Sequence, residues 1–390
     1  MASEIKIGII GCGQVSRVGH GPAIALDRRA CISAIADPDA ENRAKFKRRF
    51  RVPAVYPDHQ AMLAKEELDA VVIASPPWLH REQLRDAISA GTHVLCEKPI
   101  ATTLEDCREM VEMAEGYDRV VQAGHSKRFE TGFQRVKEMI DGGRLGDIYQ
   151  MSIYWHYYIP DFRSGWLKKI LDFSKRHWVD FEKKYGAWRY FDPRAGGGDF
   201  FDHAPHYIDL MRFFFGEIES IYCQTRRFIE SRLHEDLAVA IFTLANNAVA
   251  VLEKSTLVMG RPEGFETGSI YAERAKIAFE AFHEYKHKKM KLRIYTPVNI
   301  ISDRYRNLRL PGGRRNTLYY RQMSHFIDRI AGEHTLIRNY EGEWSASMKD
   351  ACTAIAWTLA GYRSAREGRE IGKDEIFQRA AAGGLSVRAT

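Results

Sequence analysis

Over the first 125 residues, short and nearly unbroken apolar runs alternate with stretches in which apolar positions return every three or four residues. The runs fall at 5–10 (IKIGII), 31–37, 69–75, 93–98 and 119–125, and the periodic stretches include 79–90 and 104–115. Strands that are apolar on both faces and separated by helices belong in a parallel sheet covered on both sides. The pattern predicts a doubly wound α/β domain over residues 1–125.

Beyond residue 125 the texture changes. A helical pattern at 133–140 and a strand at 148–155 precede an aromatic-rich stretch, 157–195, that holds Trp166, Trp178 and Trp188 and has little periodicity. The segment GGGDFFDHAPHYIDL (196–210) then opens a helix. The runs SIYCQTRRF, DLAVAIFTL and AVAVLEKST follow one another without helical crossovers, which predicts a mainly antiparallel sheet. A long helix over 345–366 closes the ordered chain, and AAAGGLSVRAT reads as a frayed tail. The expected division is an α/β domain at 1–125, an α+β domain with a large, mainly antiparallel open sheet at 126–375, and a tail at 376–390.

Two domains suit a chain of 390 residues, which is longer than one core usually supports. The net charge of +7 is uneven: residues 1–125 hold 16 Lys/Arg against 18 Asp/Glu, and the remainder 42 against 33. The basic runs at 43–51 and 286–293 do not amount to a nucleic-acid surface, because Ala44, Phe46 and Phe50 keep helical spacing in the first and make its charges a solvated face. Six cysteines without C-x-x-C spacing read as reduced, buried thiols. The N-terminus enters an apolar strand within a few residues, and no apolar run approaches a membrane span, so a cytoplasmic protein without a membrane partner is expected.

Chemistry concentrates at three places. GIIGCGQVS sets Gly11 and Gly13 directly after the first strand, with Ser16 where G-x-G-x-x-G has its third glycine. Such a turn brings backbone N–H groups to a pyrophosphate. Asp37, ending the second strand, is placed to accept hydrogen bonds from an adenine ribose, or to cap the next helix before Pro38. An acidic group there repels a 2′-phosphate, so NAD is expected over NADP, with Arg43 and Lys45 close by. Glu97, Lys98 and Pro99 stand at the carboxyl end of another strand, the edge where open α/β sheets bind ligands. A lysine beside an oxidised nicotinamide feels its positive charge, which favours the neutral amine and suits proton transfer; the plainer role is a pair with Glu97. In the third place, Asp202 and His206 share a helix face, as do His203 with His206 and His206 with Asp209. The plainer alternative is a capping Asp and two His residues at a polar core edge.

Together GIIGCGQVSRVGHGPAI, ASPPWLH, AGTHVLCEKPIATTLEDC and GGGDFFDHAPHYIDL resemble the Gfo/Idh/MocA family of glucose-fructose oxidoreductases and inositol dehydrogenases, over nearly the whole chain. The resemblance implies an N-terminal Rossmann domain and a C-terminal open sheet that forms the substrate site and the oligomer interface. It implies that Lys98 and His206 are catalytic with Asp202 as their partner, and that Gly11, Gly13, Asp37, Ser75 and Glu97 line the cofactor site with His80 near the ribose. Gln14, Val15 and Pro76 are expected beside the cofactor in the same stretches. His125, Arg128, Tyr157 and His203 are expected beside the substrate, together with Lys98, Asp202 and His206. Ser16, the SPP tripeptide and the additional His203 depart from the family pattern.

The expected reaction is hydride transfer between nicotinamide and a ring secondary hydroxyl or ketone of a sugar, glycoside or cyclic polyol. His206 or Lys98 would move the hydroxyl proton, and Asp202 would orient them. A homodimer or homotetramer is expected. Arg163, Arg189 and Arg194 would tolerate a carboxylate or phosphate on the substrate. Two alternatives are an NAD-dependent glycosidase working by transient oxidation and elimination, with His203, Tyr157 or Tyr158 as a further base, and a non-catalytic NAD-binding sensor. No metal is expected: Asp199, Asp202, His203, His206 and Asp209 lack the spacing of a complete site.

Overall fold

The computed structural model describes residues 4–158, 188–258, 265–282, 290–296, 300–301, 318–333, 344–379 and 385–387. The chain forms two compact units, one of residues 1–133 with 308–353, the other of 134–307 with 354–390.

In the first unit β1 (Ile5–Ile10), β2 (Ala30–Ala36), β3 (Ala54–Tyr56), β4 (Ala70–Ile73), β5 (His93–Glu97) and β6 (Val121–Gly124) form one sheet. Its order is β3-β2-β1-β4-β5-β6, and every pair is parallel. Ile7, Ile9, Val71, Val72, Ile73, Val94 and Leu95 are wholly buried, so the central strands are apolar on both faces. The three half-buried residues of β3, at the sheet edge, are too few to leave a pattern in the sequence. The basic run at 43–51 lies largely on the Ala40–Phe50 helix, which buries Phe46 and turns Lys45, Lys47, Arg48 and Arg49 outward.

Residues 308–353 join this unit, unlike the expected division. The Leu318–Ala331 helix buries Met323, Phe326 and Ile327 and packs on the Gly21–Leu26 helix. Arg29 grips it, with Nη1 2.5 Å from Asp328 and 2.9 Å from Glu333 while its other nitrogens hold Asp27. Ala123 N–H, on β6, donates to Ala346 O at 2.9 Å. Contacts between residues some 300 positions apart leave no local trace.

The second unit is built on a sheet of nine strands: β7 (Ile148–His156), β8 (Ile218–Arg226), β9 (Leu237–Leu244), β10 (Val249–Ser255), β11 (Phe265–Ala272), β12 (Lys276–Phe282), β13 (Lys291–Tyr295), β14 (Ile300–Ile301) and β15 (Ile371–Gly372). The order is β14-β13-β12-β11-β7-β10-β9-β8-β15. All pairs are antiparallel except β7 with β10. β11 escapes a reading by apolar pattern because Glu266, Thr267 and Ser269 interrupt it. Ala238, Ala240, Phe242, Ala250 and Leu252 are buried on the face that packs on the Asp199–Phe215 helix. On the other face Tyr154, Tyr222, Ile241 and Val249 are exposed.

The helix expected from 345 runs Met348–Glu367, its start fixed by Ser347 and Asp350, whose side chains each accept the other's backbone N–H at 3.1 and 3.0 Å. Within the expected tail, β16 (Phe377–Arg379) pairs with β17 (Leu385–Val387), and the Phe377 ring packs 5.7 Å from that of Trp357. Most of the aromatic stretch, with Trp166, Trp178 and Arg163, lies outside the described residues, as do 286–289 of the second basic run. All six cysteines are unpaired, five of them buried and Cys31 half-buried. Among the described residues no helix is long and apolar enough to cross a membrane.

The Asp199–Phe215 helix begins on Gly198, which has no side chain to cap it. Glu235 does so from the chain before β9: Oε2 accepts Gly198 N–H at 3.1 Å, and Oε1 accepts Phe200 N–H at 2.9 Å and the Tyr362 hydroxyl at 2.7 Å. A Cβ on Gly198 would lie 2.5 Å from Glu235 O, so only glycine allows this approach. Burial pushes the Glu235 carboxyl above the ordinary glutamate value, against bonds from Tyr362, Phe200 and Gly198 that pull it down. The unfolded chain therefore gives up this proton at lower pH than the folded chain does. The group's contribution to stability is complete below the ordinary value and is lost as pH rises through the raised one. Glu235→Gln loses one acceptor, which costs about 1–2 kcal/mol, and removes this titration. Urea midpoints measured against pH should show the parent ahead at low pH and the gap narrowing across that window; a constant gap would disprove the shift.

Candidate active site

At the nucleotide end, Gly11 has φ +94° and sits where a Cβ would lie 2.7 Å from Ala74 O, at the end of β4. The third glycine's position is filled to good effect: the buried Ser16 hydroxyl donates to Gly11 O at 2.5 Å and ties the loop. A Cβ on Gly13 would meet nothing within 4 Å, so the loop's open side has room for a phosphate to come close. Gln14 and Val15 are half-buried beside it. Asp37, 7% exposed, accepts Cys12 N–H at 2.7 Å through Oδ2 and Asp39 N–H at 2.8 Å through Oδ1. The carboxylate thus clamps the glycine loop to the end of β2, and lone pairs remain on both oxygens for ribose hydroxyls. It does not cap the next helix. Asp39 does, accepting Glu41 and Asn42 N–H at 2.8 and 3.1 Å. Arg43 donates to the Asp37 and Pro38 carbonyls, and Lys45 pairs with Glu41. These residues fit a dinucleotide.

Glu97 ends β5, buried, and Lys98 follows it half-buried. Glu97 Oε2 accepts Lys98 N–H at 3.2 Å, while Oε1 meets the fully buried His20 Nε2 at 2.7 Å. His20 is a residue the sequence did not single out. Ser75 donates to Gln83 at 2.6 Å, and its carbonyl accepts His80 Nε2–H at 2.8 Å; Pro76 is half-buried next to it. Burial lowers the His80 pKa and favours its neutral form. His125 is 1% exposed, and Arg128 is buried with Nη1 3.3 Å from Ser345 O and Nη2 3.6 Å from Asp350.

In the second unit Asp202, His203, His206 and Asp209 all lie on the Asp199–Phe215 helix. Asp202 Oδ2 is 2.8 Å from Arg189 Nε and 3.5 Å from His203 Nε2; His206 is 4% exposed and Asp209 fully buried. Arg194 holds Asp192 at 2.8 Å. Asp199, in the first turn of the same helix, is 1% exposed and carries several polar partners. Its Oδ2 forms an ion pair with Lys254 Nζ at 2.8 Å, both side chains almost wholly buried. Its Oδ1 accepts hydrogen bonds from the Tyr157 hydroxyl and, at 3.1 Å, from the Tyr190 hydroxyl, and lies 3.5 Å from His203 Nδ1. Lys254 Nζ also stands 3.6 Å over the Tyr157 ring.

Burial alone would raise the Asp199 carboxyl, but Lys254 and His203 together hold it well below the usual carboxylate range. Burial pushes the Lys254 amine down to about 8, against Asp199, which raises it. Burial and then Asp199 raise the Tyr157 phenol far above its ordinary value. Tyr157, expected beside the substrate, is thus a donor to Asp199. Lys254 itself has a sequence signal: it shares the inward parity of Ala250 and Leu252, where an apolar residue belongs. Among the described residues the one His/Cys/Asp/Glu set whose ligand atoms gather within 4.8 Å is the partly exposed His59, Glu82 and Asp86.

Residues 5–125 match the profile of the oxidoreductase family with an NAD-binding Rossmann fold, and residues 133–278 that of the GFO/IDH/MocA C-terminal domain. The chain is 27% identical over 247 residues to 1-carboxy-3-chloro-3,4-dihydroxycyclohexa-1,5-diene dehydrogenase of Comamonas testosteroni, covering 63% of this chain and just over half, 56%, of that enzyme's length. It is 24% identical over 282 residues to myo-inositol 2-dehydrogenase of Thermotoga maritima, covering 70% and 76% of the two chains. In fold it is similar to the WlbA dehydrogenase of Bordetella pertussis, solved with NADH and UDP-GlcNAcA, with a TM-score of 0.71, 23% identity, and coverage of 95% and 98%. With both of its domains matched over most of its length, the chain belongs to the GFO/IDH/MocA oxidoreductase family, and its N-terminal unit is that family's NAD-binding Rossmann domain.

Proposed function

We propose that the chain is an NAD(H)-dependent dehydrogenase acting on a ring secondary hydroxyl, or the corresponding ketone, of a sugar, glycoside or cyclic polyol in the cytoplasm. The observation that carries this reading is a helix that sets Asp202, His203 and His206 within five positions, held by buried charges, in a chain whose other unit clamps a dinucleotide loop with Asp37. The names of its relatives, which include an inositol dehydrogenase, support the substrate class. NAD, when bound, accepts the hydride. Gly11, Gly13, Asp37, Ser75 and Glu97 would hold it. Asp37 would receive ribose hydroxyls and repel a 2′-phosphate, which favours NAD over NADP. Lys98 would donate to the developing alkoxide, and His206 or the neighbouring His203 would take the hydroxyl proton, with Asp202 orienting it.

NADH absorbance should rise when the protein and NAD meet one class in a panel of monosaccharides, inositols, glycosides and sugar acids. The rise should be much smaller with NADP and be lost in Lys98→Ala. Release of aglycone without net NADH would instead indicate a glycosidase, and NAD binding with neither signal would sink the dehydrogenase reading for the whole panel.

A homodimer or homotetramer is proposed through the face of the nine-stranded sheet on which Tyr154, Tyr222, Ile241 and Val249 are exposed. There the exposed Tyr222 pairs across strands with the exposed Ile241, and Ile241 with the half-buried Val251, which makes an apolar row. Ile241→Glu should lower the mass measured by light scattering to that of a monomer without changing the far-ultraviolet circular dichroism. An unchanged mass would exclude this face.

A further inference from the structure

We infer that His203 is a preset proton acceptor of the substrate site, with Asp199 and Lys254 as its positioning residues; the hydroxyl it would act on comes from the dehydrogenase reading above. The argument starts from His203 Nδ1, which lies 3.1 Å from the Asp199 backbone carbonyl. A carbonyl only accepts, so Nδ1 carries the proton of the neutral ring and Nε2 keeps a lone pair. The ring is held at that angle by Trp155, whose ring centre is 4.2 Å away edge-on, and by Tyr157 at 6.1 Å.

Asp202 Oδ2 stands 3.5 Å from Nε2. The neutral ring has no proton there to give it, but once Nε2 is protonated the carboxylate stabilises the imidazolium, as a base needs when it accepts a proton. In the oxidative direction the substrate O–H bond breaks and its proton passes to Nε2. The C–H electron pair leaves with the hydride for oxidised nicotinamide, and a C=O bond remains.

The charged and titratable groups around the ring come from every element packed on it. Asp199 and Asp202 lie on its own helix, Lys254 on β10, Tyr157 just after β7, and Arg189 and Tyr190 on the Trp188–Phe191 turn, while Glu266 on β11 acts on Lys254. Burial and then Lys254 favour neutral His203 while Asp202 and Asp199 oppose them, and the balance lies below the ordinary histidine value. Lys254 acts through Asp199: it keeps that carboxylate ionised as the acceptor for Tyr157 and Tyr190, and so fixes the helix turn whose carbonyl holds Nδ1–H.

The test is a pH titration of the full chain labelled with [15N]histidine, read by long-range 1H–15N correlation, with the His203 signal assigned from His203→Gln. The expected result is a neutral ring protonated at Nδ1 that titrates below the ordinary value. In Lys254→Met the midpoint should rise by on the order of one pH unit, and Lys254→Arg should restore it. An Nε2–H tautomer in the parent overturns the inference, and this reading needs no substrate and no variant beyond the one that assigns the signal. With the substrate returned by the NADH screen, His203→Gln should lower kcat at least about 100-fold while NAD affinity holds. A kcat within a few-fold of the parent, with dehydrogenation intact, overturns the role of His203 and leaves the dehydrogenase reading standing. A screen without turnover removes that reading and leaves the titration to decide the state of His203.

Discussion

Asp199 is a carboxylate with almost no access to water, and much of the second unit's interior is arranged to keep it charged. An ion brought out of water loses hydration worth several kcal/mol even after the protein relaxes, and a single partner seldom returns it. Asp199 has Lys254, two phenol donors and an imidazole. These come from β10, from the chain just after β7, from the Trp188–Phe191 turn and from its own helix, so one carboxylate fixes four pieces of backbone relative to each other. Apolar residues of similar volume would hold such an interior at least as well. What they would not supply is a helix turn whose carbonyl, imidazole and neighbouring Asp202 are fixed in direction.

The first unit uses the same device with backbone donors. Asp37, at the end of β2, joins the glycine loop to the start of the next helix by accepting the N–H groups of Cys12 and Asp39, and Glu97 joins Lys98 N–H to the buried His20. In each case a carboxylate at a strand end replaces the ladder bonds that stop there. Loops so tied keep their shape without a ligand, which lowers the ordering cost when one binds. Ser16 adds to this, since its hydroxyl bond to Gly11 O supplies a restraint that a glycine could not.

How much of this could be read from the sequence follows from the range of each interaction. β1, β4 and β5 are legible because burial on both faces writes itself as a continuous apolar run. The Asp199–Phe215 helix and its polar turn are legible because three- and four-residue spacing is local. Illegible were the return of Leu318–Ala331 to the first unit, which rests on Arg29 and Asp328 at opposite ends of the chain, and the trans cap from Glu235. His20 was hidden for another reason. It stands between Gly19 and Gly21, where a Cβ would strike the Tyr319 ring at 2.9 Å or Phe50 at 2.7 Å, so two apparent loop glycines are packing residues that seat a buried histidine. Lys254 was the most accessible of the missed residues, because its parity contradicts its chemistry.

That contradiction has a general use. In a strand with one covered face, the inward positions are set by alternation, and a lysine at one of them must have a buried partner or shift the register. The register of β10 is fixed on both sides, parallel to β7 and antiparallel to β9 over seven residues each, so Lys254 cannot turn outward by slipping one position. The partner is therefore required, and the helix packed on that face must provide it. Asp199 is in its first turn, where a carboxylate also suits the positive end of the helix dipole. Sheet register and helix polarity, each a backbone property, thus converge on placing this pair where they do, and the orientation of His203 follows from it.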